Sequence, residues 1–139
     1  MPLAILLIDH GSRLASANEM LACMSNLVQD MAGDGVIVRH AHMELAEPSI
    51  ARGFADCVEA GADEVVAFPY MLSPGRHSTR DIPRMIQEAA GSHPGVRFRV
   101  TPAFGIHEML ARVRGSVQGV QVSAPFGKVE LALQVMGEG

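Results

Sequence analysis

At 139 residues the chain has the size of one domain, and 48% hydrophobic against 19% charged residues excludes a disordered segment. A net charge of −4, one Tyr and no Trp argue against a nucleic-acid surface, which needs basic patches and stacking aromatics. The longest apolar run, 3–8, is too short to cross a bilayer, and no basic, cleavable leader precedes it, so the cytoplasm is the expected location.

The run at 3–8 is the first predicted strand, bounded by Asp9 and Gly11. Met20, Met24, Leu27 and Met31 then recur at i, i+4, i+7 and i+11, which predicts a helix carrying all four on one apolar face. Gly33 and Gly35 stop it, and Val36–His42 reads as a second strand. Pro48 suits the first turn of a second helix, where its missing N–H is harmless. Ile50, Phe54 and Val58 give that helix its stripe, and Gly61 ends it. A third strand, 65–69, leads into the loop bearing His77. Asp81 is expected to cap a third helix whose Ile82, Met85, Ile86 and Ala89 face inward. A fourth strand over 96–101 and a short helix with Ile106, Met109, Leu110 and Val113 complete the alternation.

Strands and helices in this order predict an α/β fold of the three-layer, flavodoxin-like kind. Its four-stranded parallel sheet, in order 2-1-3-4, has right-handed crossovers and helices on both faces. After residue 116 the period changes. Val129, Leu131, Leu133 and Val135 alternate with other residues, as do Val120 and Val122, around a turn at Ala124-Pro-Phe-Gly127. Residues 117–139 therefore read as a C-terminal β extension of the 1–116 domain, a hairpin or two edge strands. An isolated hairpin is marginal in water, so the tail is expected to pack on the sheet edge or across a dimer and to add no metal ligand. Cys23 and Cys57 form no CxxC pair and read as reduced core thiols in helices.

Two segments carry the chemistry: Asp9-His10-Gly11-Ser12-Arg13 and Pro69-Tyr-Met-Leu-Ser-Pro-Gly-Arg-His77. Each follows a strand, and open α/β sheets hold their ligands beyond the carboxyl ends of their strands. Glu44 follows the second strand in the same way. In a 2-1-3-4 sheet, with strands about 4.8 Å apart, the loops of His10, Glu44 and His77 are neighbours. Two imidazoles and a carboxylate suit a borderline divalent transition metal and leave coordination positions open. Arg13, Arg76, Arg80 and Arg84 cluster around the histidine loops, where guanidinium forks bind carboxylates; Arg84 alone reads as solvated surface. Glu47, one turn from Glu44, is the competing carboxylate. His42 is either a support for the metal-facing residues or a packed strand histidine. His40 and His93 read as surface residues, His107 as a helix start, and the methionines as core or dimer interface.

The chain resembles the class II chelatases, specifically the short, single-domain sirohydrochlorin chelatases of the CbiX type. The likeness covers roughly residues 3–114. It rests on Asp9-His10-Gly11-Ser12-Arg13, on Glu44 with Glu47-Pro48-Ser49-Ile50, on Pro69-x-x-Leu72-x-x-Gly75-x-His77-x-x-x-Asp81-Ile82-Pro83, and on Gly105-Ile-His107. The resemblance implies insertion of Co²⁺ or Fe²⁺ into sirohydrochlorin, a tetrapyrrole, with no organic cofactor. His10, Glu44 and His77 match the positions that bind the metal or assist proton removal. Ser12, Arg13, Arg76 and Arg80 are the expected tetrapyrrole contacts. The resemblance also implies a symmetric homodimer with the site between subunits. The ligand types do not choose among cobalt, iron and nickel, because affinity follows the Irving–Williams order and supply decides.

Two other readings compete. A histidine phosphatase opens with Arg-His-Gly, but Asp9 stands here in place of the arginine and would repel a phosphate. A metal or tetrapyrrole carrier would keep the same ligands without turnover. Ser12 lacks a G-x-S-x-G elbow, which argues against a hydrolase nucleophile.

Overall fold

The apolar runs form strands because the residues on both of their faces find cover. Along the first run Ala4, Leu6 and Ile8 are fully buried toward one face while Leu7 is buried toward the other. The computed structural model describes residues 2–72 and 75–104. In chain order these form β1 (Leu3–Asp9), α1 (Ala15–Ala32), β2 (Val36–His42), α2 (Ile50–Glu59), β3 (Glu64–Pro69), α3 (Ile82–Ala90) and β4 (Arg97–Val100). A π-helical turn, His77–Asp81, runs straight into α3. The strands pair in parallel, as the alternation predicts, and in the expected order β2-β1-β3-β4. Expected and observed strand limits differ by a residue or so at the ends.

One layer of the core lies between the sheet and the α2–α3 pair, built on Leu6, Ile8, Ile50, Phe54, Val65, Ile82 and Ile86. The other lies under α1 and consists of Leu7, Leu21 and Val38, with Ile5, Met24, Val28 and Phe68 around them. The inward stripe of α1 differs from the expected one. Met20, Leu27 and Met31 are exposed, and Leu21, Met24, Ser25 and Val28 face the sheet. Both sets have helical spacing, and the second differs by about one residue of rotation; Ser25 is small enough to let the helix approach the strands.

Two expected helix starts are also corrected. Pro48 precedes α2, in a cis peptide with Glu47, and Ser49 is the N-cap, its hydroxyl accepting the Arg52 N–H at 3.1 Å. Asp81 caps nothing. The helical turn begins before it, so its N–H lies inside the helix and its carboxylate is free to turn back onto His77. Gly61, at φ +108°, follows the end of α2 as expected. Cys57 is buried, with its thiol pushed up to about 12 by desolvation, whereas Cys23 is exposed on α1 and is not a core residue. The fourth helix, His107 and the 117–139 extension lie outside the described residues.

Gly53 is the contact point between α2 and the sheet. A Cβ there would lie 2.8 Å from the Ala41 Cβ and 3.0 Å from Leu6 Cδ1. Gly53→Ala should therefore lift α2 and destabilise the domain by about 1–3 kcal/mol, despite alanine's better helix propensity. Urea unfolding measures it; an unchanged midpoint would mean that the helix shifts freely.

Candidate metal centre

Parallel pairing delivers three loops to one edge. Asp9, ending β1, is in register with His42, ending β2, and Ile8 is in register with Pro69, ending β3. The β1–α1 loop carries His10, the β2–α2 loop Glu44, and the β3–α3 connection His77. The His10 and His77 rings meet edge to face, with centroids 4.1 Å apart. They come from positions 67 residues apart and meet because β1 and β3 are neighbours.

His77 occupies the first position of the π-helical turn, four residues before Asp81. Its Nδ1 lies 3.0 Å from Asp81 Oδ2. A carboxylate only accepts, so Nδ1 carries the proton and Nε2 is left with a lone pair for a metal or a proton. Loss of this orienting bond in Asp81→Ala should weaken Co²⁺ binding about 10–100-fold with the fold intact. Calorimetric titration reads that effect, and unchanged affinity would remove Asp81 from the site.

Backbone contacts bind the His10 and Glu44 loops together. Met43 N–H donates to the Asp9 carbonyl at 2.9 Å and Glu44 N–H to the His10 carbonyl at 3.2 Å. Gly11, at φ +89°, passes so close to the Glu44 carbonyl that any Cβ would collide with it. Glu44 is exposed, and its carboxylate makes no hydrogen bond or ion pair among the described residues. Glu47, by contrast, accepts the Ser49 N–H at 3.0 Å and is engaged at the entry to α2. Among the described residues no three His, Cys, Asp or Glu side chains are grouped to hold a metal ion. The fold thus preassembles a histidine pair and leaves Glu44 beside it, uncommitted.

The remaining candidates divide. Arg13, Arg76 and Arg80 are exposed and enter no ion pair among the described residues, while Arg84 pairs with Glu88 at 3.1 Å, as a solvated arginine does. Ser12 shapes its own loop: its Oγ accepts the Leu14 N–H, and its backbone exchanges two hydrogen bonds with Asn18. Of the histidines read as surface residues, His93 is half-buried against Phe54, with ring centroids 5.6 Å apart. His40 is half-buried beside His42, and desolvation, then the His42 ring, push its pKa below the usual histidine value. His42 is 1% exposed, and its Nδ1 lies 2.6 Å from Asp9 Oδ1.

The family model described as CbiX matches residues 4–117. The chain belongs to the CbiX family. Among its relatives, the chloroplastic sirohydrochlorin ferrochelatase of Arabidopsis thaliana is 42% identical over 109 residues, 78% of this chain and 48% of that one. The sirohydrochlorin cobaltochelatase of Priestia megaterium is 30% identical over 98% of this chain and 44% of its own. The chain spans about half the length of these curated relatives. Among solved structures, SirB from Bacillus subtilis with Fe³⁺ superposes with a TM-score of 0.75 at 31% identity, over 87% of this chain and 49% of that one. A CbiX protein from Marinobacter aquaeolei, described as a cobalamin-biosynthesis protein, superposes with a TM-score of 0.67 at 28% identity, over 83% and 92%.

Within this CbiX fold, the sequence leaves His42 open between a support for the metal-facing residues and a packed strand histidine, and it assigns no site role to Asp9 or Asp81. The i, i+4 spacing of His77 and Asp81 was a readable signal. The Asp9–His42 pair had none, because only the strand register places the two side by side.

Proposed function

We propose that this CbiX-family chain inserts a divalent metal, Co²⁺ or Fe²⁺, into sirohydrochlorin. The observation that carries this reading is the His10–His77 ring pair at the carboxyl edge of the sheet, 4.1 Å between centroids, beside the uncommitted Glu44. The names of the relatives support both metals and the substrate. Insertion exchanges two pyrrole N–H protons for one metal ion. His10 and His77 hold the incoming ion through ring nitrogens or accept the departing protons, a role suited to a reference pKa of about 6.5. Glu44 swings in as third ligand or relays a proton, and its negative charge offsets that of the ion. Arg13, Arg76 and Arg80, which pair with no carboxylate among the described residues, take the peripheral carboxylates of the macrocycle, and Ser12 lies at the same rim.

In this reading the catalyst is a homodimer in the cytoplasm. A flat macrocycle needs two walls, and one sheet edge offers a single wall. The doubled length of several relatives supports a second copy completing the site. No helix of the described residues is long and apolar enough to cross a membrane. Residues 1–116 form the catalytic unit, and 117–139 contribute no ligand.

The test is a spectroscopic assay of sirohydrochlorin with Co²⁺, Fe²⁺ and Ni²⁺ in turn, together with light scattering at assay concentration. Multiple turnovers are expected from a particle of dimer mass. Stoichiometric binding without turnover would make the chain a carrier, and full activity from a monomer would remove the second copy from the site.

A further inference from the structure

Beyond the histidine pair itself, the group that stands out is the buried imidazole of His42, not a second pocket. A cavity of about 290 Å³ between α2 and α3, lined by Ser49, Ile50, Met85, Glu88, Ala89 and His93, begins where the Glu44 loop ends, and nothing in it specifies a ligand. The exposed stripe of Met20, Leu27 and Met31 on α1 has nothing that specifies an occupant.

His42 differs from both. It ends β2, opposite the residue that ends β1, and is 1% exposed. Polar groups so deeply buried are held for a reason, and here the partner is explicit: Nδ1 donates to Asp9 Oδ1 at 2.6 Å. The same Oδ1 accepts the Gly11 N–H at 3.0 Å. One carboxylate oxygen therefore receives one donor from the end of β2 and one from the β1–α1 loop. Held by the His42 ring, the Asp9 carboxylate has one orientation, and in that orientation it closes the turn that contains His10. The backbone of His42 acts on the other loop. Its N–H donates to the Pro48 carbonyl at 2.8 Å, and it forms an isolated bridge with Ser49, which closes the base of the loop carrying Glu44. His42 is thus tied by its ring to the His10 turn and by its backbone to the Glu44 loop.

We propose that His42 is a positioning residue: through Asp9 and the Gly11 amide it holds the His10 turn, and with it the His10 ring, in place against His77 and Glu44. The proposal rests on the chelatase reading for its activity arm only. His42 is buried behind the metal-facing groups and touches neither metal nor substrate. It acts as the carboxylate–histidine pairs behind metal ligands do, by restricting orientation, but in reverse order: the histidine orients the carboxylate, and the carboxylate orients the loop.

The test compares His42→Phe, which keeps a planar ring but has no donor, with His42→Asn, whose side-chain amide can place an N–H near the position of Nδ1. His42→Gln, with its amide one bond further out, covers the case in which His42→Phe does not fold. Three readouts are taken on the full chain: hydrogen exchange at the Gly11 amide, affinity for Co²⁺ alone, and kcat and KM for metal insertion. In His42→Phe or His42→Gln the Gly11 amide should exchange at least about tenfold faster, and Co²⁺ affinity and kcat should fall about 10–100-fold with KM for the tetrapyrrole unchanged. His42→Asn should recover most of each. Unchanged Gly11 exchange in a folded His42→Phe overturns the proposal whatever the activity, as does a loss that His42→Asn leaves unrepaired. If the wild-type protein inserts no metal, the chelatase reading fails, while Gly11 exchange still decides the role of His42.

Discussion

His10→Ala and His77→Ala should each lower metal insertion by on the order of 10²–10⁴-fold, the range that a positioned proton-transfer group supplies. Each substitution deletes one ring of the pair that stands 4.1 Å apart, and no described side chain replaces it. The folded state should hardly register the change. His10 is exposed, and its loss should shift stability by no more than about 0.5 kcal/mol. The His77 side chain is 43% exposed and, among the described residues, makes one hydrogen bond, to Asp81, so its loss should cost about 1 kcal/mol. Initial rates with saturating Co²⁺, read beside urea unfolding, separate the two effects. A wild-type rate in either variant would show that its imidazole neither holds the ion nor moves a proton. Glu44→Gln should also be slower than Glu47→Gln, because the Glu47 carboxylate is engaged by the Ser49 amide and that of Glu44 has no such partner among the described residues.

Gly11→Ala is expected to damage the fold and the site together. The residue sits at φ +89°, and a Cβ there would press into the Glu44 carbonyl and lie 3.3 Å from the His42 Cβ. Left-handed strain and the collision together should cost about 2–4 kcal/mol. Relief requires the β1–α1 and β2–α2 loops to separate, which breaks the Glu44 N–H to His10 carbonyl bond and moves the candidate ligands apart. A displacement of about 1 Å should then lower turnover by on the order of 100-fold. Urea unfolding and kcat measure the two losses in one variant. Full activity with lowered stability would mean that the loops tolerate separation and that the close approach serves packing alone.

Much of this is legible in the amino-acid sequence. The runs 3–8, 36–38 and 65–68 are β-branched or apolar throughout, and the first and third lead directly into turn residues. Local composition therefore identifies the strands, and their alternation with helices implies the parallel sheet. Since ligands of such sheets gather beyond the carboxyl ends, the placement of His10, Glu44 and His77 at one edge followed from the strand ends alone. Three features were not legible, each because it depends on contacts between distant segments. Helical spacing in α1 allowed two adjacent stripes, Met20/Leu27/Met31 or Leu21/Ser25/Val28, and only docking on β1 and β2 chose the second. Asp81 looks like an N-cap from its neighbours, yet the turn around His77 starts the helix earlier and gives its carboxylate to an imidazole. The Asp9–His42 bond joins residues 33 positions apart in sequence, and it exists because parallel pairing sets the ends of β1 and β2 in register. Periodicity and turn chemistry are local properties that the sequence by itself determines. Which face is buried, and which side chain orients which ligand, are decided by register and docking, which exist only once the chain has folded.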